Sequence, residues 1–458
     1  MSVGRTTIPA LPWPHKIHTN HRVKNMTANE SNSINAAFVA LSKAYTGNLA
    51  DPYPKYKELR EQGVVYQGDL VAELGVPSLV AGRTGDRKVF TFLGADICTK
   101  ALLDPETFSS KVYEEAFGGV MGDKVVLFMD GEEHRFYRNM MTKIMSPAAL
   151  KKMYDAHFKP TIRTMVEELA GSKNRGELMA DLILDFPLRV IYKLFGLPSD
   201  DPKAMDEFNT RALLMVFGGM CDFRKPEEAQ QRIANAFKAS GEIYEQILAV
   251  VKSRRAAGDY QGDDLIAQLI RFDDNGRTLS DEEIAQFLRP TMAAAGETTS
   301  RAFANVIALL LERPEMLDEV RNDRSLVRPA IDEAMRFEGS VSVIPRITAK
   351  DVEVEGVHIP AGSGVTMLVG AANRDPAVHE NPEVYDFHIK RKKQAMSFGM
   401  GNHMCMGMFL AKMEMELALN AVLDFMPGVR FDPDAEYEGI RGVQFRSPSA
   451  IPVVWDAP

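Results

Sequence analysis

The chain has 458 residues, 54 Lys and Arg against 63 Asp and Glu, a net charge of -9 and a hydrophobic fraction of 45%. That length admits roughly three average domains or one large single-core enzyme, and it is far too long to need disulfide staples. Cys98, Cys221 and Cys405 are odd in number and widely spaced, which points to a reducing compartment, and the acidic surplus disfavours nucleic acid as a partner.

Residues 1 to 24 carry Arg5, Lys16, His18, His21 and Arg22 with three prolines, and lack the apolar core of a signal peptide. No later stretch offers the roughly 18 consecutive apolar residues of a membrane span. A cytoplasmic protein without a membrane anchor is therefore expected. Residues 1–35 are polar, with Asn and Ser clustered between Asn29 and Asn35, and read as an extended or mobile arm. With no internal repeat, low-complexity linker or shift in composition beyond it, residues 36–458 read as one large mixed domain.

Strand character is confined to two regions. One joins Val64–Asp69 with Lys88–Leu93; the other runs from Val341 to Gly370, where Val352, Val354, Val357 and Ile359 alternate. The rest reads as helix cut by proline and glycine, so the expected fold class is mainly α with small β-sheets. The most legible helix begins at Ser280, which forms a capping box with Glu283, and runs to about Arg313, where Pro314 stops it. At roughly 1.5 Å per residue it would span about 50 Å. Its middle holds Pro290, then Ala293, Ala294, Ala295, Gly296, Glu297, Thr298 and Thr299. Small side chains let a bulky group approach the backbone, with a carboxylate and a hydroxyl beside it. The plainer alternative is a buried helix packed closely on a neighbour, with Thr298 bonded back to a carbonyl.

Near the C-terminus, glycines 399, 401 and 407 make a tight loop around Phe398, His403 and Cys405, and this loop opens an apolar-periodic helix from Met408 to Phe425. A cysteine at a helix N-terminus meets free N–H groups that favour thiolate, either as nucleophile or as metal ligand. His403 and Cys405 alone do not make a zinc set. A cysteine hydrolase would need a base from elsewhere in the chain. A single thiolate suits haem iron.

The run Phe398-Gly-x-Gly-x-His403-x-Cys405-x-Gly407, followed by Leu410, Ala411 and Glu414, resembles the haem-ligand loop of the cytochrome P450 family. Ala294-Ala-Gly-Glu-Thr-Thr299 is similar to the family's oxygen-activation segment, and Glu333-Ala-Met-Arg336 to its Glu-x-x-Arg pair. Asp130 to Arg138 resembles the helix that grips the haem propionates. The four stand in the family's order and cover the chain from about residue 50 onward. The sequence departs from the family at Ala295, where glycine is usual, and at Val384, where an arginine often completes a network with the Glu-x-x-Arg pair.

The resemblance implies a haem b held by Cys405, with His134, Arg138 and Arg346 around its carboxylates and Phe398, Gly399, His403 and Gly407 in its loop. The implied activity is insertion of one atom of O2 into a hydrophobic small organic substrate. Glu297 and Thr298 would deliver protons, Glu297 through a water linked to solvent. Ala293, Ala294, Val341, Val343, Ile344 and Phe445 are the candidate pocket walls, and Leu213–Met220 a candidate lid. The end of the chain at Pro458 leaves no fused reductase, so a separate ferredoxin and its reductase are expected, docking near the basic run Lys390, Arg391, Lys392 and Lys393. Rival functions on this fold are a peroxygenase, an isomerase or dehydratase, and a nitric-oxide reductase. From another class comes a non-catalytic haem sensor. The acid–alcohol pair argues against the peroxygenase, and a need for dioxygen and an electron carrier would separate the others.

Overall fold

The fold is that of a computed structural model, which describes residues 38, 39, 42, 46–82, 85–198, 201–218 and 226–456. The expected arm at 1–35, Cys221, and Gly219 and Met220 of the expected lid lie outside the described residues.

Helices dominate, and those that frame the site are α1 (Val112–Met121), α2 (Gly131–Ile144), α3 (Phe186–Phe195), α4 (Pro202–Gly218), α5 (Pro226–Ala257), α6 (Asp281–Leu311), α7 (Val327–Phe337) and α8 (Met408–Phe425). The capping signals explain α6. Ser280 Oγ accepts from the Glu283 N–H at 3.1 Å, and the Glu283 carboxylate accepts from the Ser280 N–H at 2.9 Å. The helix runs unbroken through Pro290 and ends at Leu311. It is buried on almost every side, because α3, α4, α5, α7 and α8 all pack against it. An all-round buried helix is a core element rather than an amphipathic cover. Its buried polar residues, Glu297, Thr299, Ser300, Arg301 and Asn305, are therefore the exceptions that call for partners.

The strands fall where the alternating patterns put them, with additions. β1 (Val65–Tyr66) pairs antiparallel with β2 (Val89–Phe92), and β2 runs parallel to β8 (Gly364–Met367). β8 pairs antiparallel with β5 (Ile344–Thr348), and β5 with β3 (Phe108–Ser109), completing a five-stranded sheet. β6 (Val352–Val354) and β7 (Val357–Ile359) form a hairpin turned by Glu355 and Gly356, both at positive φ. A small sheet of β4 (Arg175–Glu177), β10 (Pro452–Val454) and β9 (Arg430–Phe431) joins chain segments far apart in sequence. Sequence patterning missed it because two or three residues carry no legible period.

The largest hydrophobic cluster draws on segments from Phe38 to Trp455, so the core is continuous around α6, while a second one fills the space between the five-stranded sheet and its neighbours. No helix among the described residues is long and apolar enough to cross a membrane.

Candidate active site

Two turns and their glycines shape the cysteine loop. Residues 396–398 and 401–403 form short 3-10 turns, and Gly399 and Gly401 have φ of 69° and 68°, a region costly for other residues. A Cβ on Gly401 would also lie 2.7 Å from the Leu102 carbonyl. The Cys405 N–H closes the loop on the Phe398 carbonyl at 2.8 Å. Below it, Ser397 Oγ donates to the Met335 carbonyl of α7 at 2.5 Å and accepts from Asn373 Nδ2 at 2.9 Å. The loop is thus bonded to α7.

The Glu333–Arg336 pair on α7 holds the other side of this support. Arg336 grips Glu333 with two bonds of 2.7 and 2.9 Å and reaches the carbonyls of Asn373, Pro382 and Val384. The departure at Val384 is resolved here. Arg391 supplies the missing third partner, bonding both Glu333 oxygens at 2.5 and 3.1 Å. Burial pushes the Glu333 carboxyl up, but the two guanidinium groups outweigh it and hold the acid below its ordinary range. This corrects the reading of Arg391 as part of a basic docking run. Its side chain is only 12% exposed and turned inward, whereas Lys390, Lys392 and Lys393 are exposed.

All six expected pocket residues, Ala293, Ala294, Val341, Val343, Ile344 and Phe445, line one cavity of about 450 Å³. Glu297 and Thr298 of α6 line it too, as do Arg346, Phe398, Gly399, His403, Cys405 and Gly407. On α6 the two readings of the small residues hold on different faces. Ala294 and Thr298, one turn apart, open to the cavity. Gly296 faces away, where a Cβ would collide with Leu188 of α3. Thr298 Oγ1 donates to the Ala294 carbonyl at 2.9 Å, so its hydrogen is engaged and its lone pairs remain to accept from the cavity. Glu297 is not free in the cavity: its carboxylate is ion-paired with Arg301, one turn on along the same helix.

Cys405 presents its accessible surface to this cavity. Burial raises its thiol pKa, although the N–H groups of Gly407 and Met408 and the charge of Arg138 pull the other way. The helix-end effect expected from the sequence is present but outweighed, because the cavity gives the sulfur no bulk water.

The basic and imidazole groups gather nearby. Arg346 is buried, bonded to the Pro345 carbonyl at 2.8 Å and to the Tyr113 hydroxyl, with no carboxylate in ion-pair range among the described residues. His134 and Arg138 of α2 do not form the cavity wall. The His134 ring stands 4.7 Å from that of His403, its Nε2 buried without a partner, and Arg138 acts electrostatically on both His403 and Cys405. Burial, with Arg346, His134 and Arg138 close by, pushes His403 down to about 3. Two arginines, Arg346 and Arg138, with no carboxylate in ion-pair range among the described residues, fit a ligand that brings its own acidic groups, as haem does with its propionates. The sulfur facing the cavity fits its iron.

Sequence reasoning missed Tyr113, which bonds Arg346, Ser110, whose Oγ lies 3.3 Å from His403 Nε2, and Arg301. Glu414 belongs to the sequence pattern of the cysteine loop, which assigns it no role of its own. In the structure Glu414 lines the cavity, fully buried, with Oε1 unpaired. Only Arg301 had a signal: its i, i+4 spacing from an acid on a predicted core helix.

Comparison with known proteins bears on this arrangement. The sequence model of one family, Cytochrome P450, matches residues 78–425. The chain is 28% identical over 432 residues to pulcherriminic acid synthase of Bacillus subtilis, covering 92% of this chain and 98% of that protein. It is 31% identical over 359 residues to the C-19 steroid 1alpha-hydroxylase of Sorangium cellulosum, covering 78% and 87%. The fold resembles that of the open cytochrome P450 EryK from S. erythraea, with a TM-score of 0.72, 26% identity and coverage of 88% of this chain and 95% of that one.

Proposed function

The chain belongs to the cytochrome P450 family, haem-dependent monooxygenases acting on small organic substrates, and from that premise we infer the division of labour among its residues. Cys405 ligates the haem iron. Arg346 and Arg138 would bind the propionates, with His134, whose Nε2 has no partner, beside them, and the Glu333–Arg336–Arg391 network holds the cysteine loop in place. When bound, haem supplies the dioxygen and electron chemistry that no side chain offers. The observation that carries the reading is the cavity in which Cys405 Sγ, Thr298 Oγ1 and Arg346 meet walls of Ala, Val, Ile and Phe.

Those walls select a largely hydrophobic substrate and exclude water around it. Thr298 Oγ1 accepts a hydrogen bond from the cavity, and Glu297 orders the water from which protons are drawn. Electrons arrive from a separate ferredoxin and its reductase in the cytoplasm. Lys390, Lys392 and Lys393 support this docking, being exposed and in no ion pair among the described residues. Leu103, 56% exposed and packed beside Gly401, and Phe409, 40% exposed in the first turn of α8, would add apolar contacts near the cysteine loop.

The test is spectral. Purified protein should carry one haem b whose reduced carbon monoxide complex shows the strongly red-shifted Soret band of thiolate ligation. Cys405→His should abolish that band. Its survival in the variant would disprove the ligand assignment.

A further inference from the structure

Arg301 is buried to 1% exposure in the middle of the core helix, and its guanidinium is fixed on every side. Nε meets the Glu297 carboxylate, Nη1 donates to Ser447 Oγ at 2.9 Å and Nη2 to Ser42 Oγ at 2.7 Å. The Phe38 ring lies 4.4 Å from the guanidinium carbon and the Phe445 ring 5.9 Å. The clamp therefore joins three separated parts of the chain: the segment before residue 46, α6, and the C-terminal loop whose Phe445 lines the large cavity. A buried ion pair is rarely retained for stability, since desolvation consumes most of what Coulomb attraction returns. The pair calls for another reason.

A second cavity supplies one. Behind α6 lies a space of about 20 Å³ lined by Asn209 of α4, Ala293, Gly296, Ser300 and Glu297. That is room for one water, which needs about 10–15 Å³ and two to four polar partners. Three acceptors surround it, and a water there can donate its two hydrogens to two of them. Asn209 is 2% exposed with its Oδ1 unpaired, Ser300 Oγ can accept while it donates to the Gly296 carbonyl at 3.1 Å, and Glu297 offers its carboxylate. Glu297 is the one charged residue lining this space, and it also lines the large cavity. Glu297 therefore stands in the wall between the two.

We propose that Arg301 is a positioning residue: it holds Glu297 as a fixed, ionised acceptor in that wall, so that the carboxylate orders water on both sides instead of swinging as a free acid. A water held by Glu297 that gives up a proton to the large cavity takes one back from solvent water, and Glu297 ends each transfer as it began, ionised against Arg301. This deepens the proton-delivery role given to Glu297 above and rests on it.

Infrared spectra of protein carrying carbon-13 in its Glu carboxyl groups test the claim apart from turnover. In the haem-loaded native enzyme at neutral pH, subtracting the spectrum of Glu297→Gln should reveal an ionised carboxylate and no protonated carboxyl band. Arg301→Met should create such a band, absent from Arg301→Met/Glu297→Gln, because a buried carboxylate without its counter-ion takes up a proton. Product formed per electron should fall about tenfold in Arg301→Met, less than the roughly 10²-fold or more of an acid or base lost outright, because Glu297 is still present. Arg301→Lys should remove the band and restore most of the coupling, which a merely structural role would not require. A protonated Glu297 band in the native enzyme overturns the proposal, and so does its absence from a folded Arg301→Met. If Arg301→Met does not fold, the native and Arg301→Lys spectra decide, each expected to show Glu297 ionised. Unchanged coupling in Glu297→Gln would instead refute the delivery role itself, leaving the spectra to judge the clamp.

Discussion

Thr298 and Glu414 show how one side chain's surroundings set its task. With its hydrogen directed to the Ala294 carbonyl, Thr298 offers the cavity an acceptor, and removing it leaves the helix intact. Thr298→Ala should therefore retain haem and substrate binding while product per electron drops several-fold and peroxide rises, measured by oxidant and product assays on the same sample. Unchanged coupling would remove Thr298 from proton delivery. Glu414 is a different case, because burial pushes its carboxyl well above the ordinary 4.5 and no group pairs with Oε1. The native state keeps this proton while the unfolded chain releases it above that ordinary value. The unfolded state then binds fewer protons, so this group makes stability fall as pH rises, until the native acid itself ionises. Glu414→Gln should raise the melting temperature at neutral pH and flatten its decline between about pH 5 and pH 8, as followed by calorimetry. An equal shift at both ends of that range would show that Glu414 has a partner.

At the scale of elements, the cysteine loop has its position because α7 and the segment after it are tied together. Arg336 collects three carbonyls and Glu333, and Arg391 adds two bonds to the same carboxylate from a loop more than fifty residues on. Breaking a buried pair costs about 3–5 kcal/mol when one partner is stranded. Since Arg336 would still hold Glu333, Arg391→Met should cost less, about 1–3 kcal/mol in denaturant unfolding. It should also loosen the loop enough to speed haem loss. Full stability and haem retention in that variant would mean that Arg336 alone suffices. The nearby His379 reflects the same charge density, pushed down to about 4 by burial and by Arg336 and Arg391.

For the whole molecule the relevant quantity is charge. The chain carries -9 overall, yet Lys390, Lys392 and Lys393 stand exposed in the segment leading to the cysteine loop. A local basic patch on an acidic body steers an acidic carrier to one face, and steering acts mainly on association rate and weakens with salt. Changing Lys392 and Lys393 together to Glu should raise the KM for ferredoxin several-fold and flatten its dependence on ionic strength. Substrate binding, read from the spin-state spectrum, should stay as it was. Carrier-dependent turnover that does not respond to the variant at any salt concentration would place docking elsewhere, with Arg135 and Lys143 of α2 as the next residues to change.

What the sequence alone determined was local. The capping box at Ser280, the stop before Pro314, the start of α8 after Gly407 and the strand character of Val352 to Ile359 all depend on residues within a few positions of one another, where spacing maps onto backbone geometry. The cysteine loop was legible for the same reason, since its glycines and ligand lie within ten residues. Tertiary structure decided whatever depends on contacts between distant segments. It turned Arg391 from a surface charge into the third member of a buried network, clamped Glu297 with Arg301, and brought Tyr113 to Arg346. It buried Glu414 in the cavity wall, which raises its carboxyl above the ordinary range. Burial and counter-ions set the state of each of these groups, and both are supplied by chain segments tens to hundreds of residues away, whose approach no spacing within the sequence records.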